Sequence, residues 1–271
     1  MRFDSLNISN FASSAIKPLA MAAVATVAIA GMSSAQAKTL FKDTSITALY
    51  GGGFKNVPNK DETASLATMT IEHASTHDWG GIFMFVDRHQ GEKDSSGKPY
   101  KETFGKVSPK FKVATFDDSF IKQVNLAGVY EFSSTTTGFA QDNYWIGIGA
   151  DLNLPVPGMK YASATLYHSF NNAKLGNGKK SKGDDQKITL TSAWEKDNFL
   201  IDGYVDFAFN NEFDNVKNSI HLNPQIKYNI QPMLGIDNRL EVGIEYDYWK
   251  NKIGLDGVDQ NAVAALVKYH F

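Results

Sequence analysis

In the stretch DWGGIFMFVDR, Phe83, Phe85 and Asp87 fall at every second position. At that spacing two phenyl rings and a carboxylate share one face of an extended chain. Rings on such a wall offer π-faces to a flat solute, and the carboxylate accepts hydrogen bonds from its polar edge. The plainer reading is that the rings pack against an inward loop or fill a narrow interior. Similar groups recur on polar faces along the chain. Glu72, Lys110, Glu131, Trp145, Asp151, Tyr204, Glu245 and Asp247 complete the set of candidate solute-binding residues.

Other chemistry is poorly supported. GIGAD echoes a nucleotide-binding glycine pattern but lacks its third glycine, and no helix follows to receive a phosphate. Its glycines fit better as room in a narrow interior. His73 and His77 are four residues apart, yet a metal pair at that spacing needs a helix, and the segment reads as strand. His168 and Ser169 suggest an outer-membrane phospholipase, but adjacent strand residues point to opposite faces and cannot form a dyad. GKKSKGDD reads as a solvated loop. These observations predict neither an enzyme nor a bound cofactor.

The elements that must position the candidates are strands. Period-two alternation marks twelve of them, near 45–54, 65–74, 79–88, 102–114, 120–132, 143–153, 159–170, 186–195, 198–209, 219–230, 239–250 and 261–271. Most reach about ten residues, the length of a tilted membrane-spanning strand. Connections tend to alternate long and short, with QPMLGIDN the weakest case. The last residues, NAVAALVKYHF, put Val263, Ala265, Val267, Tyr269 and Phe271 on one face up to the end of the sequence. A final strand paired to its end suggests a closed sheet. A secreted sandwich or lipocalin-like barrel would show the same period; strand length, loop alternation and the terminal aromatic favour the membrane.

The N-terminus has Arg2 and Lys17, an apolar stretch from Leu19 to Ala30, and the small-residue site Ala35-Gln36-Ala37. This predicts a secretory signal over 1–37 and a barrel domain over 38–271, which is 271 − 37 = 234 residues. The apolar stretch is shorter than the roughly 20 residues of a transmembrane helix. The sequence contains no cysteine, so an exported chain has no disulfide to staple it. A formal charge of −2 gives no sign of nucleic-acid binding. Aromatics at 12% suit strands and membrane interfaces.

Charge fixes the faces, because an ionised group facing lipid costs kilocalories near the midplane. Leu240, Val242, Ile244, Tyr246 and Tyr248 therefore point out, and Glu241, Gly243, Glu245, Asp247 and Trp249 point in. By the same argument Asn125, Glu131, Asp202, Tyr204, Asp206, His221, Asn223, Gln225 and Lys227 face inward. Pro224 is expected to face out, where its missing donor is awkward. Asp87 places Phe83 and Phe85 on the inner wall. Lys106, Lys110, Lys112, Lys187, Lys227 and Lys268 stand there against many carboxylates, while the whole sequence has three arginines, Arg2, Arg88 and Arg239. A path for acidic oligosaccharides or phosphate would be expected to use more arginine forks; mixed signs suit a neutral polar solute.

Together HDWGGIFMFVDRHQG, KVSPKFKVA, YWIGIGADLNLPVPG and VKYHF resemble the Tsx-like family of nucleoside-specific outer-membrane channels, which includes the OmpK group. The resemblance covers nearly all of the chain after residue 37, in the same order. It implies a twelve-stranded barrel with a narrow pore for nucleosides and deoxynucleosides, lined by aromatic residues flanked by ionisable ones. Asp87 matches a family carboxylate, Phe83 and Phe85 stand where family tyrosines lie, and Asp151 keeps the carboxylate after the glycines. Gly81, Lys106 and Ser108 stand at acidic positions, and Lys110 replaces an arginine. Architecture thus transfers more directly than solute preference.

The fold class expected is all-β, a transmembrane antiparallel β-barrel of twelve strands in the outer membrane of a Gram-negative bacterium. Expected partners are nucleosides or other small polar solutes, outer-membrane lipids, and the barrel-assembly machinery acting through the C-terminal strand. No nucleic-acid polymer is expected, and the barrel is expected to be a monomer. Alternatives are a channel of the same build for another solute, a phage or colicin receptor, and a lipid-modifying enzyme.

Overall fold

In the computed structural model the described residues are 37–55, 63–93, 99–175, 177–212 and 216–271. The expected signal segment up to Gln36 lies outside them, as do residues 56–62 and 94–98 in the connections expected after the first and third strands. The strands are β1 Thr39–Lys55, β2 Thr63–His77, β3 Gly80–Lys93, β4 Pro99–Thr115, β5 Ile121–Thr135 and β6 Ala140–Leu152. They continue as β7 Met159–Lys174, β8 Lys180–Lys196, β9 Phe199–Phe209, β10 Ser219–Asn229, β11 Leu240–Lys250 and β12 Gln260–His270. Each pairs antiparallel with its sequence neighbours, and β1 pairs with β12. The chain is a closed twelve-stranded transmembrane barrel.

Closure leaves no sheet edge. The end of the chain is held on both sides: His270 N–H donates to Arg239 O at 3.0 Å and Phe271 N–H to Thr44 O at 2.9 Å. The outward face is aliphatic and exposed at Leu126, Ile146, Ile148, Leu166, Leu190, Ile244 and Val267. Above these, Tyr130 stacks on Tyr144 with centroids 5.1 Å apart and leans on Phe132 at 5.6 Å. An apolar band bordered by aromatics is the surface a bilayer solvates.

Every element read from the sequence forms, but several strands run further. The strands span 11 to 17 residues, beyond the roughly 9–11 needed to cross a bilayer. NNAKLGNGKKSKGDD, expected as a long loop, is mostly ladder, paired from Asn171↔Gly183 to Lys174↔Lys180. A backbone outside the membrane still satisfies its groups by pairing, whatever its side chains. Loop-length asymmetry therefore appears as projecting hairpins. The connection from β10 to β11 holds a one-turn helix, α1 Gln231–Leu234, which Gly235 ends at φ +63°.

Pro224 is accommodated by its neighbours. The β10–β11 ladder omits Asn223 and Pro224, pairing Leu222 with Tyr248 and resuming at Gln225 with Glu245 in the same register. On the other side Pro224 faces Gly203 at φ +147°, where a Cβ would lie 2.3 Å from Asn223 O. Glycine here admits a close backbone approach that no other residue permits.

Candidate functional site: the lumen

Strand alternation turns all eleven candidate residues toward the interior. On β3, Thr70 Oγ1 donates to Asp87 Oδ1 at 2.6 Å. Phe85 lies 5.7 Å from Phe104 of β4 and 5.9 Å from Phe83, centroid to centroid. Phe83 is the open ring, 39% exposed. Phe83 and Phe85 are inclined by 49°, so a flat solute can lie on only one of them at a time. Phe104 joins the wall although sequence reading did not single it out; its inward place follows from its parity with Lys106.

Lys106 pairs with Phe85 in the β3–β4 register and extends into the lumen from there. Its Nζ lies 3.2 Å from Glu131 Oε2 on β5 and 3.6 Å from Asp206 Oδ2 on β9. Between β4 and β9 stand β5 to β8 in one direction and six strands in the other, so this contact crosses the interior. Asn143 Nδ2 donates to Glu131 Oε1 at 2.9 Å and Thr189 Oγ1 to Asp206 Oδ1 at 2.6 Å, fixing both anchors. The same ammonium is 4.6 Å from the Trp145 centroid and 5.6 Å from that of Tyr204. Trp145 also carries Lys187 Nζ at 4.1 Å and is only 4% exposed. It is a platform for cations and has no open face for a solute.

A second aromatic group lies beside Asp247. His221 stacks on Trp249 at 3.8 Å, its Nε2 is 3.2 Å from Asp247 Oδ1, and Tyr204 Oη is 3.3 Å from its Nδ1. Gln225 Nε2 donates to Glu245 Oε2 at 2.8 Å. Lysine–carboxylate pairs dominate elsewhere. Lys110 Nζ reaches Asp151 at 2.8 Å and Tyr161 Oη at 2.6 Å; Lys227 reaches Asp202 at 2.6 Å and Glu241 at 3.3 Å; Lys268 reaches Glu72 at 2.7 Å. The wall thus alternates ring and charge. Most cations are held by acids, while Asp87, Glu245 and Asp247 are met by hydroxyl, amide and imidazole groups.

Arginine keeps away from the middle. Arg88 points outward to Thr103 at 2.7 Å, and Arg239 bridges Glu241 and Glu195 beside the first residue of β11. The remaining motifs fall apart in space. His73 meets Thr44 at 2.8 Å, whereas His77 stacks on Trp79 at 5.1 Å. Ser169 Oγ contacts the Asp185 carboxylate, while His168 Nε2 lies 3.5 Å from Asp184 Oδ2, so serine and histidine have separate partners. Gly147 of GIGAD faces inward with no room for a side chain: a Cβ would lie 2.3 Å from Leu166 O.

Outside the membrane, Asp259 in the β11–β12 loop accepts Lys250 Nζ at 2.5 Å and Asn251 N–H at 3.0 Å. The Lys250 hydrogen bond, joined by the Asn251 amide, holds its carboxyl below the usual aspartate range.

No protein-family model and no curated protein matches the chain. Among solved structures, the NanC porin superposes with a TM-score of 0.53 at 10% identity, covering 83% of this chain and 98% of that one. The KdgM porin in complex with disordered oligogalacturonate superposes at 0.41 with 12% identity, covering 84% and 99%. The likeness to NanC is one of fold. At that identity it shows a shared closed-barrel fold and says nothing of role or solute.

Proposed function

We propose that this barrel is a passive outer-membrane channel of a Gram-negative bacterium for small polar solutes, with nucleosides its preferred class. One observation carries the reading: the open Phe83 ring stands on the same lumenal strand as Asp87, beside a polar cross-section built from paired charges. A nucleobase has a flat face for the ring, and a ribose has hydroxyls for the carboxylate. Base–aromatic stacking is worth about 1–3 kcal/mol in nucleic-acid sites, and a wet pore belongs at the lower end. That is weak enough to release the solute, as conduction requires. Among the described residues no arginine stands at mid-lumen, which argues against acidic oligosaccharides. Secretion by a signal over 1–37 and membrane insertion through the Phe271 terminus complete the proposal.

Proteoliposome swelling tests it. Nucleosides should enter faster than sugars or amino acids of similar size. Equal rates would leave a general channel, and no swelling with any solute would favour a receptor whose barrel is only a mount.

A further inference from the structure

We propose that Lys106 is a crossbar that sets selectivity, dividing the lumen and admitting only solutes able to replace its ion-pair contacts with hydrogen bonds of their own. The idea rests on the channel reading. Three features make the crossbar. Reaching from β4, its Nζ lies 3.2 Å from Glu131 on the adjacent β5 and 3.6 Å from Asp206 on the nearly opposite β9. Its anchors are themselves tied, Glu131 by Asn143 and Asp206 by Thr189. Aromatic rings flank it, Trp145 at 4.6 Å, Tyr204 at 5.6 Å and Phe104 at 5.9 Å.

Such a strap discriminates by chemistry as well as size. A solute crossing this level must part the ammonium from Asp206, and it passes at low cost only if it offers an acceptor to Lys106 and donors to Asp206. A neutral polyhydroxylated or heteroaromatic solute carries both on one edge. A small inorganic cation offers no acceptor to the lysine, and an anion offers no donor to the aspartate. The cation–π contacts hold the displaced ammonium near the wall, so that it returns when the solute leaves. The solute class inferred is therefore uncharged and bifunctional in hydrogen bonding, and salt conduction should be low.

Planar-bilayer recording in potassium chloride tests this without any nucleoside. Lys106→Met keeps the stem and removes the ammonium, so that Asp206 loses its cation and Glu131 keeps only the more peripheral Lys187. Conductance is expected to rise several-fold, and the reversal potential under a salt gradient should move toward cation selectivity. The double variant Lys106→Glu with Asp206→Lys rebuilds the strap from the far wall and should return conductance toward the parent value. Heat-modifiability confirms that each variant forms a barrel. Unchanged conductance and reversal potential in folded Lys106→Met would overturn the crossbar, as would failure of a folded swap to reverse the rise. Should Lys106→Met not fold, the swap against Lys106→Glu alone decides by the same criterion. The crossbar and the nucleoside reading fail separately: a salt response without nucleoside preference removes only the latter, and nucleoside preference without a salt response removes only the former.

Discussion

Lys268 of β12 reaches over β1 to Glu72 of β2, Nζ to Oε1 2.7 Å, and so braces the seam where the barrel closes. The pair is lumenal, whereas Phe271, three residues on, points outward and is exposed. Brace and terminus therefore do different jobs. Deleting Phe271 should lower the amount of folded, heat-modifiable barrel in the outer membrane. Lys268→Ala should leave that amount closer to normal but destabilise the assembled barrel by about 1.5–3 kcal/mol, the range for a charge-assisted hydrogen bond. Equal loss of assembled protein from both changes would contradict this division.

Topology is tested by cysteine labelling, since the protein has no cysteine of its own. Positions 180 and 256 lie at the end of the barrel opposite Thr39 and His270, and positions 117 and 157 at the same end as those two residues. An impermeant thiol reagent on intact cells should label Lys180→Cys and Asp256→Cys and spare Asp117→Cys and Pro157→Cys. The reverse pattern would invert the barrel in the membrane.

The rings on β3 are tested by flux. Phe83→Ala with Phe85→Ala should slow nucleoside uptake several-fold at low concentration, where occupancy limits the rate, while a sugar of similar size holds steady or speeds up. Because the rings are tilted and Phe83 is the more open, Phe83→Ala alone should account for most of the loss. If nucleoside and sugar both speed up, the rings merely narrow the pore.

Acid should loosen the β11–β12 loop late. Asp259 has its pKa depressed by the Lys250 hydrogen bond, so its contribution to loop order is fully present above the ordinary aspartate value and fades as pH falls through the lower folded one. Hydrogen exchange at the Asn251 amide should therefore stay protected through about pH 4, the unperturbed aspartate value. Asp259→Asn should shift the residual pH dependence out of that window. Protection lost well above pH 4 in the parent would show that another group governs the loop.

Much of this architecture is legible in the residues. Alternation alone locates twelve strands and, with the cost of charge in lipid, assigns Asp202, Glu241, Glu245 and Lys227 inward. That works because side-chain period and face are local properties of an extended chain. Strand ends were less legible: β7 and β8 run through polar residues because backbone pairing outside the membrane is indifferent to side-chain polarity. Sequence could mark Lys106, Trp145 and Asp206 as lumenal, but it could not reveal their meeting. Lys106 and Asp206 are 206 − 106 = 100 residues apart and lie on nearly opposite walls. Only closure of the sheet and the register around it sets which inward side chains share a level, and a contact across the lumen has no periodicity to betray it.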